Sequence, residues 1–268
     1  MPAHKPNAPD VQQLFRSAAA EGALSAETLI SLAIPDLGAQ IQAGLGVSPD
    51  DVPASEVVLV TQMPDDSGSI QHGKNAQLVR DGHNQVLDAL LTSKQRDSIL
   101  AHTRYLNGQV LFPYRPLQQA VRMDAKNYDP QLGTPLYDQT MVLLGTVLAK
   151  TQEFADAGVQ SRSVTLLLTD GGDCGSTRFR ARDVRRLVKD LLRAETHVVA
   201  AMGLDDGTTD FRAVFREMGI EDRWILTPGA SAAEVRAAFS LFSQSAVRLS
   251  QSRQAAGPVS LGGFASRP

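Results

Sequence analysis

The chain has 268 residues, 43% of them apolar, and a formal net charge of −3. That suits one large α/β domain, or one domain with an extension, and offers no global attraction to nucleic acid or anionic membrane. The single cysteine, Cys174, excludes an intramolecular disulfide and a cysteine-based zinc cluster. Met1-Pro2-Ala3-His4-Lys5-Pro6-Asn7 lacks the apolar stretch of a signal peptide, and no run approaches the ~18 apolar residues of a membrane span, so a cytoplasmic protein is expected.

After a short polar lead, residues 9–46 predict two or three helices: Val11, Leu14 and Phe15, then Leu29, Ile30 and Leu32, then Leu37, Ile41 and Leu45 recur at helical spacing. Ser48-Pro49-Asp50-Asp51-Val52-Pro53 reads as a linker. Residues 1–54 are therefore expected to form a helical extension with its linker. From Val57 strand and helix alternate, the signature of a doubly wound sheet. Val57-Val58-Leu59-Val60 opens as a strand, and a helix over roughly 75–92 keeps Leu78, Val79, Val86, Leu87, Leu90 and Leu91 on one side. Extended stretches at 98–106 and 109–113 meet at Asn107-Gly108, which predicts a two-residue hairpin because both positions tolerate positive φ. The segment 115–133 has weak periodicity and reads as a loop. A long helix over about 136–157 ends at Gly158. Strand 163–169, helix 181–193, strand 197–203, helix 209–218, strand 223–227 and a closing helix over 231–250 complete a domain spanning 55–250. The tail, 251–268, is rich in Ser, Gly and Pro and is expected to be mobile. The fold class is α/β: a doubly wound, Rossmann-like, mostly parallel sheet with one short antiparallel edge strand and helices on both faces.

Three polar blocks follow predicted strands or lead into a helix. They are Asp65-Asp66-Ser67-Gly68-Ser69, Gly133-Thr134-Pro135 and Thr169-Asp170-Gly171. The carboxyl ends of parallel strands lie side by side, so the blocks can converge at the crevice there. Asp65, Ser67, Ser69, Thr134 and Asp170 then form an all-oxygen set, which suits a hard divalent cation such as Mg²⁺ better than zinc or copper. Few protein carboxylates would leave Mg²⁺ with waters and an open position that an outside oxygen can occupy.

At these residues the chain resembles the von Willebrand factor A family and its metal-ion-dependent adhesion site. The family's Asp-x-Ser-x-Ser loop, separate threonine and later Thr-Asp-Gly have counterparts in Asp65, Ser67 and Ser69, in Thr134, and in Thr169-Asp170-Gly171. The resemblance covers roughly residues 55–250. It implies Mg²⁺, or Mn²⁺ or Ca²⁺, held by Asp65, Ser67, Ser69, Thr134 and Asp170, with an Asp or Glu of a protein partner completing the coordination. The implied function is a non-enzymatic protein-binding module. Phe239-Ser240-Leu241-Phe242-Ser243-Gln244-Ser245 loosely resembles the closing helix of bacterial intracellular A-domain proteins of the tellurium-resistance-associated type. Other bacterial A domains assist AAA+ ATPases of the MoxR type. Either link implies an adaptor.

The rival reading is a Mg²⁺-dependent phosphohydrolase of the haloacid-dehalogenase-like type, which also places an aspartate loop after its first strand. Its second acid lies two positions after the nucleophile, where this chain has Ser67. No Gly-x-Gly-x-x-Gly or Gly-Lys-Ser/Thr phosphate loop appears. Arg178, Arg180, Arg182, Arg185, Arg186, Lys189 and Arg193 flank the apolar stripe of helix 181–193; without interleaved aromatic residues they read as a solvated face rather than a nucleic-acid site. Cys174 reads as a free loop thiol, Asp205-Asp206-Gly207-Thr208 as a solvated acidic turn, and Trp224, at the start of its strand, as core. The five histidines form no paired metal-ligand spacing.

Overall fold

The computed structural model describes residues 10–72, 75–251 and 263–264. Six strands, β1 (Glu56–Pro64), β2 (Ile99–Arg104), β3 (Val110–Pro116), β4 (Gln160–Thr169), β5 (His197–Gly203) and β6 (Ile225–Leu226), form one sheet in the order β3-β2-β1-β4-β5-β6. All neighbours pair in parallel except β3, which runs antiparallel to β2. The central strands β1 and β4 are buried along nearly their whole length, hence their near-continuous apolar runs. Their register pairs Val60 with Val164 and Pro64 with Leu168, so Asp65 and Thr169-Asp170 leave the sheet side by side.

The helices are α1 (Val11–Ala20), α2 (Ala26–Leu32), α3 (Pro35–Leu45), α4 (Gly68–His72), α5 (Ala76–Leu91), α6 (Leu136–Asp156), α7 (Ala181–Arg193), α8 (Phe211–Glu217) and α9 (Ala232–Gln251). On one face α5 and α9 pack together, and Val79, His83 and Phe239 close over Gln62, Leu166 and Leu168. On the other, α6 crosses the sheet and Phe154 meets Val57 and Leu59. Fourteen of the 21 residues of α6 are buried, too many for a helix with one wet face, because α1 and α3 cover its outer side. The close crossing of α3 on α6 needs small residues: a Cβ at Gly145 would lie 2.8 Å from Ile41 Cδ1, and one at Gly44 2.7 Å from Thr146 Cγ2. Val11, Leu14, Phe15, Leu37, Ile41 and Leu45 belong to the same hydrophobic core as the sheet.

Polar contacts fasten this layer as well. Asp190 of α7, 3% exposed, accepts from Ser25 N (3.0 Å), Ser25 Oγ (2.6 Å) and Thr28 Oγ1 (2.7 Å) at the start of α2, and from Arg193 Nη2 (2.7 Å). Farther along α6, the buried Lys150 ammonium donates to Val47 O and to Glu153 Oε2 (2.8 Å). The long helix ends in a Schellman arrangement: Val159 N donates to Phe154 O, Gly158 N to Ala155 O, and Gly158 sits at φ +75°.

Four local expectations are corrected. The β2–β3 connection is a three-residue loop, Leu106–Gly108, closed by Tyr105 N to Gln109 O (2.8 Å), and only Gly108 (φ +97°) is left-handed. Leu106 is fully buried and Asn107 N donates to Asp66, so tertiary contacts choose the longer loop. Ile30 is 74% exposed; the seven-residue α2 buries Thr28 and Leu32 instead. Trp224 is core but ends a short 3-10 turn, Asp222–Trp224, ahead of β6. A short helix, α4, rises within the first polar block. The expected mobile tail falls mostly outside the described residues; Phe264 lies edge-on to Trp224 (5.2 Å) with its N–H on Arg223 O (2.9 Å).

The α5–α9 contact is tight enough to test by one methyl group. A Cβ at Gly82 would lie 2.1 Å from Phe239 Cε2, a buried ring. Gly82→Ala should therefore lose about 1–3 kcal/mol to overpacking, outweighing the ~1 kcal/mol that alanine gains in helix propensity. Chemical denaturation checks this, and a stabilised variant would show that the helices part easily.

Candidate metal centre

The first polar block is shaped by its own carboxylate. Asp65, fully buried at the end of β1, accepts from Ser67 N through Oδ1 (2.7 Å), an Asx turn that curls the chain back over the strand end. Its Oδ2 accepts from Thr169 Oγ1 (2.6 Å), joining this loop to the end of β4. Ser67 Oγ lies 2.8 Å from Ser69 Oγ, and Ser69 Oγ donates to Asp170 Oδ1 (2.6 Å). Ser67, Ser69 and Asp170 thus form a chain of oxygens from β1 to β4, with the Asp65 carboxylate tied in through Ser67 N and Thr169.

Backbone pairing brings in Thr134. Gly68 N donates to Leu132 O (2.9 Å), and Thr134 and Cys174 exchange two hydrogen bonds, at 3.1 and 2.8 Å. The threonine segment is therefore stitched to the first block on one side and to the loop after Asp170 on the other. The main chain thus brings together the segments that carry Asp65, Ser67, Ser69, Thr134 and Asp170. Ser67, Asp65, Thr134 and Asp170 are buried, between 0% and 7% exposed, so their oxygens have little water to turn to.

Several supporting residues carry no sequence signature. The Tyr128 hydroxyl donates to the Asp65 carbonyl beneath the loop, and Tyr105 packs on Tyr128 with ring centroids 5.4 Å apart. Asp66, 3% exposed, turns its carboxylate to Asn107 N (2.9 Å), while its carbonyl accepts from Gln131 N and Leu132 N. It brackets the first block to the β2–β3 loop and to the threonine segment. The alternation of Asp65 and Asp66 was a usable signal for a side chain facing elsewhere; its partners were not readable.

The electrostatics are those of carboxylates held together without a counter-charge. Burial pushes Asp65 above the usual carboxylate range despite four hydrogen bonds that favour its charged form. Burial, helped by the Asp65 charge, raises Asp170 to about 6 and Asp66 to about 7. A cation would reverse that penalty. Among the described residues no group of three His, Cys, Asp or Glu converges on one point, so any ion here must draw on hydroxyls. The donors are all oxygen, in keeping with Mg²⁺ or Mn²⁺. Nearby Asp206, exposed and held by Thr208 and Thr209, stays near 2 because those four donors outweigh its slight burial. The arginines of α7 are mostly engaged locally: Arg185 with the carbonyls of Arg216 and Glu217, Arg186 with Asp183, Arg193 with Asp190.

No family model and no curated protein matches the chain. Solved structures do. The pilus adhesin SpaC from Lactobacillus rhamnosus GG, in its open conformation, aligns with a TM-score of 0.53 at 16% identity, over 73% of this chain and 30% of its own. Proximal thread matrix protein 1 from the mussel byssus aligns at 0.48 and 17% identity, over 72% of this chain and 48% of its own; another structure of it is described with a zinc-occupied MIDAS motif, the metal-ion-dependent adhesion site. The SpRpn10 VWA domain aligns at 0.47 and 9% identity, over 69% of this chain and 94% of its own. The chain spans about half the length of the mussel protein and under a third of the adhesin. At such identities the likeness speaks to fold alone, and the adhesin, above 0.5, is the comparison that carries it. The chain has a mixed α/β fold built on a mostly parallel six-stranded sheet, a fold it shares with the pilus adhesin.

Proposed function

We propose that this protein is a metal-dependent protein-binding module. A divalent cation, Mg²⁺ or Mn²⁺, would be held by Asp65, Ser67, Ser69, Thr134 and Asp170, and an Asp or Glu of a partner protein would fill its open position. The observation that carries the reading is the Ser67–Ser69–Asp170 chain of oxygens, with the Thr134 segment held beside it by backbone pairing on both sides. Ser69 is the side chain among the described residues that donates to the Asp170 carboxylate, in keeping with room for an ion beside it. In the role of a cytoplasmic bacterial adaptor, a tellurium-resistance-like link rests on the loose resemblance of the closing helix, and an AAA+ link on what other bacterial A domains do. A phosphohydrolase is disfavoured because the buried Asp66 is committed to Asn107 and Ser67 stands where a second acid would act.

Saturating Mn²⁺ or Mg²⁺ should raise the melting temperature: a hundredfold excess over Kd is worth about 2.7 kcal/mol, or roughly 5 °C in a chain of this size. The ion-induced shift should vanish in Asp65→Ala and Asp170→Ala. A pull-down with Mg²⁺ should retain a partner that EDTA or Thr134→Ala releases. An ion shift undiminished in both aspartate variants, or Mg²⁺-dependent phosphatase turnover abolished by Asp65→Asn, would overturn the reading.

A further inference from the structure

Helix α3 makes polar contacts with residues that adjoin the metal centre, and Arg104 is the joint. Arg104 ends β2, is 1% exposed, and donates from Nη2 to Gln40 O on α3 (3.2 Å) and to Gly108 O in the β2–β3 loop (3.2 Å). The neighbouring Asn107 N in that loop holds the Asp66 carboxylate. One guanidinium thus links α3 to the loop that braces the Asp65-Ser67-Ser69 block. The Gln40 side chain also faces Gln139 Nε2 (3.5 Å) in the first turn of α6, just after Thr134. One turn earlier, Asp36 pairs with Arg178 (3.1 Å) in the loop that follows Asp170. One side of α3, through Asp36 and Gln40, thus meets the β2–β3 loop's anchor, the start of α6 and the loop after β4.

The joint is under-satisfied. Among the described residues no carboxylate pairs with Arg104, and its Nε and Nη1, like Gln139 Oε1, have no hydrogen-bond partner. A buried charge kept with so few partners is costly for stability alone, and such groups hold a specific arrangement in some proteins. Leu37 and Ile41 seat α3 firmly in the core, so movement at the joint reaches the loops instead of being lost in a loose helix.

We propose that Arg104 is a positioning residue for the metal centre, tying α3 to the loop that holds Asp66 so that ion binding and the seating of the amino-terminal helices are energetically coupled. The proposal rests on the metal-binding reading above. By reciprocity, whatever strengthens one must strengthen the other. A partner that grips α1–α3 would then alter affinity at the ion without touching it.

Mn²⁺ titration followed by electron paramagnetic resonance tests this on the full chain. Arg104→Met should weaken Mn²⁺ binding about tenfold, the scale of lost outer-shell support, and Arg104→Lys should recover part of it. The metal-free melting temperature should fall little, because the variant also removes an unpaired buried charge. In the wild type, Mn²⁺ should slow amide exchange across residues 35–45, a measurement that stands even if a variant folds poorly. Failure of the wild type to bind Mn²⁺ would remove this proposal and the metal-binding reading together. Equal affinity in wild type and Arg104→Met, or unchanged exchange in α3 on Mn²⁺ binding, would remove the coupling and leave the metal centre standing.

Discussion

Replacing Asp190 by alanine should destabilise the protein by about 3–5 kcal/mol, the summed loss of several hydrogen bonds to one charged acceptor. Its carboxylate gathers the Ser25 amide, the Ser25 and Thr28 hydroxyls and the Arg193 guanidinium. Arg193 is half exposed and would be rehydrated at little cost. The three donors at the start of α2 carry most of the cost: Thr28 is 1% exposed, and without the carboxylate its hydroxyl and that of Ser25, 2.8 Å apart, keep only each other. Asp190→Asn keeps one acceptor oxygen and should lose roughly 1–2 kcal/mol, the difference between a charge-assisted and a neutral hydrogen bond. Denaturant midpoints measure both, and amide exchange should show α2 opening first. A loss under ~1 kcal/mol in the alanine variant would mean that apolar contacts alone hold the layer.

How much of this was legible depends on whether a contact is written in side-chain pattern or in backbone position. The strands carrying Asp65 and Asp170 announce themselves, because buried parallel strands are apolar runs, and an acid at the end of such a run stands out. Helix 181–193 and strand 197–203 coincide with their observed bounds for the same reason of clear periodicity. Thr134 stood out as the hydroxyl of a Gly-Thr-Pro loop, but its position was not readable; its segment is placed by main-chain bonds linking Leu132 to Gly68 and Thr134 to Cys174, which any residue could make. Tyr128 sits in the irregular stretch before it, and no period marks a tyrosine that will reach a carbonyl 63 positions away. Ile30 misled because a helix of seven residues is under two turns, too short for spacing to tell the inner side from the outer. Asp190 lies on an arginine-rich helix face that reads as solvated, and its true partners are 162 and 165 residues away.

The same limit hid His83, His102 and His197, which show no ligand spacing and proved to be buried. Burial drives His83 and His197 down to about 4 and His102, with the added repulsion of Arg104, to about 3. All three are therefore neutral in the folded protein near pH 7, while the unfolded chain titrates near 6.5. The folded values lie below the unfolded one, so their contribution is fully present above about pH 6.5 and is lost as pH falls, until the folded groups accept protons near 4. Each costs about 1.4 kcal/mol per pH unit across that window. At pH 5 that is about 2 kcal/mol apiece and about 6 together, against a total stability of order 5–15 kcal/mol. Asp66 and Asp170, raised to about 7 and 6, take up protons in the folded state and oppose the trend. The measurement must therefore be a difference in which they cancel. His197→Asn can keep the contact of Nδ1 to Ser163 Oγ (2.7 Å), and His83→Gln that of Nε2 to Thr103 Oγ1 (3.0 Å), without a titrating ring. Whatever each variant costs at pH 7.5, its deficit against wild type should shrink by about 2 kcal/mol at pH 5. A deficit that stays constant between the two pH values would mean that the ring takes its proton without leaving the fold.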